Sequence, residues 1–376
     1  MKTRSLWLSA TCLLFGLALS GSENKPTDEI KIGAILPLTG SSASAAEYAR
    51  QGIQLALKDL NDSAPSAAPR LVLELGDSKN AAKDGLAVFS KMESLDGIRF
   101  FIATNSGVVV PLAQHIGKRE DVLLITTFSS APGIPQLGQS IFRLFVTAEN
   151  EAATMSRYLG SKGVKRAAIF YINDEFGLGG LKRFGEQFPK TGGQVVWSDS
   201  WEKGGSDFRS SLQRMPKDVE ALYIVGYEAG LGLSVKQARE IGYGGLICTT
   251  VGMSLPPWRA AAAEAAEGVI YTNAGFTPDS THPATRDFVV RFKAMHGVAP
   301  NAFAAFAYDA AMAVGRSIQS VAAKGEVPTP AAVSKQMLSS PALDGALGTV
   351  QFDSVGEADL PLAIWTFKDG KESPVK

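Results

Sequence analysis

From Ile30 onward, short apolar runs alternate with stretches in which apolar residues recur every three or four positions. Ile30–Leu36 is an apolar-rich run closed by Pro37 and reads as a buried strand. Tyr48–Leu60 sets Ile53, Leu57 and Leu60 at helical spacing. Strands are expected at Leu71–Leu75, Phe100–Ala103 and Val122–Ile125, with helices at Leu86–Met92 and Val109–Ile116 between them. The rhythm then restarts. Helices are expected at Ala152–Leu159, Phe176–Phe188, Phe208–Met215 and Leu231–Ile241. Strands alternate with them at Ala167–Ile172, Val195–Ser198, Ala221–Val225, Leu246–Thr249 and Gly268–Thr272. The tail breaks the pattern, with consecutive helices at His282–Met295 and Phe303–Val321, then strands at Thr349–Phe352 and Ala363–Phe367.

Strands separated by helices imply right-handed crossovers and parallel sheets. Two such series, one before about Val146 and one after, predict an α/β protein of two doubly wound parallel-sheet lobes. A tail that returns helices to an earlier lobe makes the lobes discontinuous in sequence. Ligands of open α/β sheets bind beyond the carboxyl ends of the strands. Two lobes facing each other there predict a cleft that closes by hinge motion.

The first segment follows another logic. Lys2 and Arg4 precede an apolar run from Leu6 to Leu19, and small residues follow at Ser20, Gly21 and Ser22. This order reads as a cleaved secretory signal peptide over residues 1–22. The run is shorter than the roughly 20 residues needed to span a bilayer as a helix. Ser9-Ala10-Thr11 before Cys12 is a poor lipobox, so Cys12 is expected to leave with the signal, and Cys248 remains as a lone, buried thiol. No later segment has 18 consecutive apolar residues, so the processed chain is expected to be soluble.

Composition narrows the chemistry. The 376 residues hold 37 Lys+Arg and 37 Asp+Glu, a zero net charge that argues against a general nucleic-acid binder. With 45% hydrophobic residues the chain has the apolar content of a globular protein, and its length suits about two domains. His115, His282 and His296 have no His or Cys at ligand spacing, so no metal site or cofactor is expected. Neither a G-x-S-x-G elbow nor a P-loop occurs. Gly177-Leu178-Gly179-Gly180 misses the dinucleotide fingerprint at Lys182 and reads as a tight strand-to-helix turn. Asp174-Glu175 and Asp218/Glu220 read as solvated charge. The inventory favours binding over catalysis.

The segment Ile30-Lys31-Ile32-Gly33-Ala34-Ile35-Leu36-Pro37-Leu38-Thr39-Gly40, then Gly52-Ile53-Gln54-Leu55-Ala56 and Asp59-Leu60-Asn61, closely resembles the start of the periplasmic leucine/isoleucine/valine-binding proteins. Gly76-Asp77-Ser78, Ser106-Gly107-Val108, Ile125-Thr126-Thr127 and Ser129-Ser130-Ala131-Pro132 continue the likeness. Asn173-Asp174-Glu175-Phe176-Gly177, Gln237-Ala238-Arg239 and Ala265-Ala266-Glu267-Gly268-Val269 complete it in order. The resemblance implies a type I periplasmic binding protein with lobes joined by three hinge crossovers, near Val146, Gly275 and Gly348. Lobe 1 would comprise 23–146 and 276–347, and lobe 2 would comprise 147–275 and 348–376.

It also implies a ligand site. Ser106 matches the family's carboxylate-binding serine, and Phe128-Ser129-Ser130 the segment that supplies a carbonyl and a hydroxyl, with Ser130 as the hydroxyl. Phe176 stands where an aromatic of the second lobe, usually Tyr, is found. Tyr227 is the aromatic after Ala221–Val225, with Glu228 beside it. Hydroxyls and helix-start amides suit a carboxylate, and aromatic rings give a closing lobe an apolar face. The chain departs from the family at Val251, where members that bind amino acids place an acid for the ligand ammonium, and at Ala45, where an aromatic is common. Either Glu228 takes the acid's part or the ligand is not an amino acid.

The expected function is thus a periplasmic solute-binding protein of an ABC importer, not an enzyme. It would be monomeric, deliver its ligand to an inner-membrane ABC permease, and bind a branched-chain or hydrophobic amino acid. An aromatic or aliphatic carboxylate is the alternative ligand. A ligand sensor for a membrane receptor is another use of the same lobes, and the missing elbow and metal motifs count against a secreted hydrolase.

Overall fold

The structure is a computed structural model that describes residues 29–375 except Gly275. The signal segment with Cys12, and the crossover expected at Gly275, lie outside the described residues. The first series runs β1 (Glu29–Leu36), α1 (Ala43–Ser63), β2 (Arg70–Asp77), α2 (Ala82–Ser94), β3 (Phe100–Thr104), α3 (Ser106–Ile116), β4 (Leu123–Thr127) and β5 (Ile141–Arg143). Its five strands form a parallel sheet in the order β2-β1-β3-β4-β5. β3 (FFIAT) and β4 (LLITT) are buried at every residue, because helices cover both faces of a parallel sheet.

The chain crosses between β5 and α4 (Ala148–Ser161), whose N-cap Thr147 accepts from the Asn150 amide at 3.0 Å. Then follow β6 (Arg166–Ile172), α5 (Glu175–Gln187), β7 (Gln194–Trp201), α6 (Arg209–Leu212), β8 (Ala221–Val225), α7 (Glu228–Glu240), β9 (Leu246–Thr249), α8 (Pro256–Ala262) and β10 (Ile270–Asn273). Gly177 makes the tight β6-to-α5 turn possible, since a Cβ there would lie 1.8 Å from the Ile172 carbonyl oxygen. The helix expected over Phe208–Met215 is the single turn α6. Pro216 lies just beyond that span, and Gln237 Oε1 takes the Phe208 amide at 2.6 Å.

The tail supplies α9 (Pro283–His296), α10 (Ala302–Ala323) and α11 (Pro330–Ser339). Their apolar faces join the first core through Phe288, Phe292, Phe306, Ile318 and Val333. Next comes the hairpin of β11 (Leu343–Gly345) and β12 (Gly348–Val350). Gly348, expected at the third crossover, therefore opens a hairpin strand, and Val350, Phe352, Ala358 and Leu360 still pack in the first core. Asp309 of α10 fixes this hairpin by accepting the Ala346 and Leu347 amides at 2.7 and 2.8 Å. The chain then returns to the second sheet as β13 (Ala363–Lys368) and β14 (Lys371–Pro374). They add two antiparallel strands and complete the order β14-β13-β10-β9-β8-β6-β7. No helix among the described residues is long and apolar enough to cross a membrane.

Candidate functional site

The carboxyl ends of both sheets converge on one narrow cavity of about 50 Å³ between the lobes. Most of its lining follows a strand: Ala45 after β1, Asn105 and Ser106 after β3, Phe128 after β4, Phe145 after β5, Phe176 after β6, Gly226 and Tyr227 after β8, and Thr250, Val251 and Gly252 after β9. Trp258 of α8 and Phe303 of α10 close the ring. A wider groove of about 980 Å³, lined by Lys118, Pro135, Lys335 and Leu338 among others, draws none of its lining from these segments. The cavity at the strand ends is where this class of sheet binds ligands.

Five of the residues expected at the site face this cavity: Ser106, Phe128, Phe176, Tyr227 and Val251. Ser106 opens α3, and its Oγ accepts from the Ala131 amide at 3.3 Å. The first amides of a helix have no partner within it, so the start of α3 presents donors and a positive dipole end. Phe128 has φ +53°, in the left-handed region that a bulky side chain seldom adopts, and its ring meets both cores. Arg143 of β5 braces the segment after Phe128. It donates to the Ser129 and Ala131 carbonyls at 3.2 and 2.5 Å and pairs bidentately with Glu357 at 2.6 Å for both bonds.

Three expected residues are not among the cavity's lining. Ser129 and Ser130 are fully buried, and the Ser130 hydroxyl lies 3.5 Å from Glu151. Glu228 sits at φ +59°, which carries its carboxylate across the cleft to the first lobe. There it accepts from Ser41 and Ser42 Oγ, each at 2.5 Å, and from Asn80 Nδ2 at 3.2 Å. Lys203 of the second lobe adds a bond to the Asn80 carbonyl at 2.5 Å. Glu228, the residue that would take the acid's part if the ligand is an amino acid, thus bonds donors of the first lobe.

Two further carboxylates flank the cavity. Glu151 of α4 accepts from the Val251 amide at 2.9 Å and from Thr272 Oγ1 at 2.6 Å, and burial pushes its pKa up to about 7. Asp174 caps α5 at the Gly177 amide (3.0 Å) and accepts from Tyr227 Oη (2.5 Å), with its pKa raised by burial. The reading of Asp174 as solvated charge is thereby corrected: it positions the Tyr227 ring. Among the described residues no group of three or more His, Cys, Asp or Glu gathers to hold a metal.

Residues 29–371 match the family described as Periplasmic binding protein. The chain belongs to that family. A similar protein is the Leu/Ile/Val-binding protein homolog 3 of Brucella melitensis, 27% identical over 91% of this chain and 92% of that one. Among solved structures, the leucine binding protein LivK from Thermotoga maritima superposes with TM-score 0.84 at 23% identity, covering 92% of this chain and 98% of that one. An R. palustris ABC transporter solute binding protein in complex with benzoate superposes with TM-score 0.83 at 17% identity, covering 92% of this chain and 95% of that one. At those identities the two structures speak to the fold.

Measured on this periplasmic binding fold, sequence reasoning missed Asn105, Phe145, Gly226, Thr250, Gly252, Trp258 and Phe303. Asn105 and Thr250 adjoin residues that were identified, so the strand-end rule would have reached them. Trp258 lies on α8, which residues 250–255 set off from the end of β9, and Phe303 lies on α10, which follows a helix, so only tertiary packing brings their rings to 5.7 Å.

Proposed function

We propose that this protein is the periplasmic solute receptor of an ABC importer, and that it binds a small carboxylate with an apolar body between its lobes. The observation that supports this best is the cavity's two-sided lining. The start of α3 with Ser106 lies on one side, and the aromatic rings of Phe176, Tyr227 and Trp258 on the other. An anion suits the helix start, and a hydrophobic body suits the rings. The family membership and the names of the relatives support the transport role, with an inner-membrane permease as partner. Hydrophobic amino acids and their des-amino counterparts both fall in this ligand class. Export follows from the signal reading of residues 1–22, and the processed chain starts near Gly21–Glu23. On the core packing, the first lobe comprises 29–146 and 276 to about 361, and the second comprises 147–274 and about 362–375. The protein acts by binding and closing, as a monomer, with no catalytic step and no cofactor.

A thermal-shift panel on refolded, ligand-free protein tests the reading, with leucine, valine, 4-methylpentanoate and benzoate as probes. A bound carboxylate at 100 times its Kd adds about 2.7 kcal/mol of stability. Ser106→Ala removes a bond to a charged group, typically about 1.5–3 kcal/mol, and should weaken that ligand roughly tenfold or more. No shift from any carboxylate, or full affinity in Ser106→Ala, would overturn the site.

A further inference from the structure

We infer that the ligand carries no ammonium group: the cavity takes a carboxylate whose remaining body is uncharged, an arene or a branched alkyl chain. This rests on the reading above that a small carboxylate binds between the lobes.

A charge taken out of water needs a partner of opposite sign or a full set of hydrogen bonds. Among the described residues no Asp, Glu, Lys, Arg or His lines the cavity, and the lining after β9 is Thr250, Val251 and Gly252. The three nearby acids are already engaged. Glu228 holds Ser41, Ser42 and Asn80 of the opposite lobe. Glu151 holds the Val251 amide and the Thr272 hydroxyl, with the Ser130 hydroxyl at 3.5 Å. Asp174 holds the Tyr227 hydroxyl and the first turn of α5. None of the three is among the cavity's lining, so to reach an ammonium each would have to move from the interlobe contact, cavity loop or helix cap that it now fixes.

The lining offers aromatic surface instead. Phe176 lies 6.0 Å from Tyr227, Tyr227 6.3 Å from Trp258, and Trp258 5.7 Å from Phe303, measured between ring centroids. Phe303 lies 4.5 Å from Phe128, which lies 5.4 Å from Phe145. This chain of rings spans both lobes and suits a flat or branched apolar body. Aromatic cages also bind quaternary ammonium ions. Here four of the six rings are Phe, and consecutive rings pack against one another, so an uncharged body is favoured over a cation.

Calorimetry on refolded protein tests the inference with matched pairs that differ only in the amino group: 4-methylpentanoate against leucine, and 3-phenylpropanoate against phenylalanine. Benzoate and glycine betaine complete the set. The des-amino partner should bind at least tenfold more tightly in one or both pairs, and glycine betaine should not bind. An amino acid binding as tightly as its des-amino partner, or more tightly, in every pair that binds, or tight betaine binding, overturns the inference and leaves the receptor reading standing. No binding by any carboxylate overturns both. Two variants guard the result. Glu228→Gln should keep the ranking of ligands, and a selective loss of amino-acid binding in it counts against the inference. Val251→Asp places an acid in the lining and should shift preference toward the amino acid. An unchanged preference in a folded Val251→Asp protein would show that residue 251 does not read this end of the ligand.

Discussion

Asn105, Phe128 and Glu228 share a backbone feature that marks the cleft: each is a non-glycine residue at positive φ, at +70°, +53° and +59°. Each follows the end of a strand, so the strained turns sit at the strand ends that border the cavity. Strain of this kind aims side chains in directions that strand alternation does not foretell, which is why Glu228 points at Ser41 and Ser42 instead of the cavity. Burial stores a second feature at Glu151. Its pKa rises from an ordinary 4.5 to about 7, so between those values the folded protein keeps a proton that the unfolded chain has released. Stability due to this residue therefore falls as pH rises from about 4.5 to 7 and is level above. Glu151→Gln keeps an acceptor for Val251 and Thr272 and removes the titration. Between pH 5 and pH 8 the wild type should lose about 1–3 kcal/mol more than the variant in urea unfolding. Asp309, also buried with its pKa pushed up to about 7, contributes a loss of the same sign in both proteins and cancels from the comparison. Equal losses in the two proteins would show that Glu151 is not the titrating group.

Helix α1 packs closely against α10, and the approach depends on Gly52. A Cβ at that position would lie 2.2 Å from the Ala304 carbonyl oxygen, a backbone atom that moves only if the helix moves. Gly52→Ala should destabilise the protein by about 1–3 kcal/mol or more, despite alanine's better helix propensity, as overpacking does. Chemical denaturation measures this, and a neutral or stabilised variant would mean that α10 shifts without cost. The alternation of these elements was legible because β3, β4 and β8 are short, mostly apolar runs while α1 and α4 repeat their apolar residues at helical spacing. Other elements left weaker traces. Pro256 and Pro330 open α8 and α11 at positions where proline is tolerated, yet a proline in a periodic reading looks like a break. β5 is three residues long, and β14 is a polar edge strand, KESP, with no apolar alternation to read. At the site, Ser106, Phe128, Phe176, Tyr227 and Val251 lay within reach of the strand-end rule. Phe303 did not, because its place follows from the return of α10 to the first lobe.

At the scale of the whole molecule, the proposed receptor role would have Glu228 link ligand binding to closure without lining the cavity. Its carboxylate, from the second lobe, takes three donors of the first, and Trp258 meets Phe303 across the same gap. These contacts favour the closed arrangement, and a ligand that binds only that arrangement has its apparent affinity scaled by the closed fraction. Glu228→Ala removes the acceptor and leaves Ser41 and Ser42 to water. Bonds to a charged group are worth about 1.5–3 kcal/mol, so the closed fraction should fall roughly tenfold or more where closure is not already overwhelming. Small-angle scattering of the ligand-free variant should then give a larger radius of gyration than the wild type, with the two converging at saturating ligand. Because closure is common to every ligand, affinities for 4-methylpentanoate, benzoate and leucine should fall by the same factor. A loss confined to leucine would place the Glu228 carboxylate on the ligand ammonium and return the acid to the site. A uniform loss with an expanded ligand-free state would establish it as the clamp between the lobes.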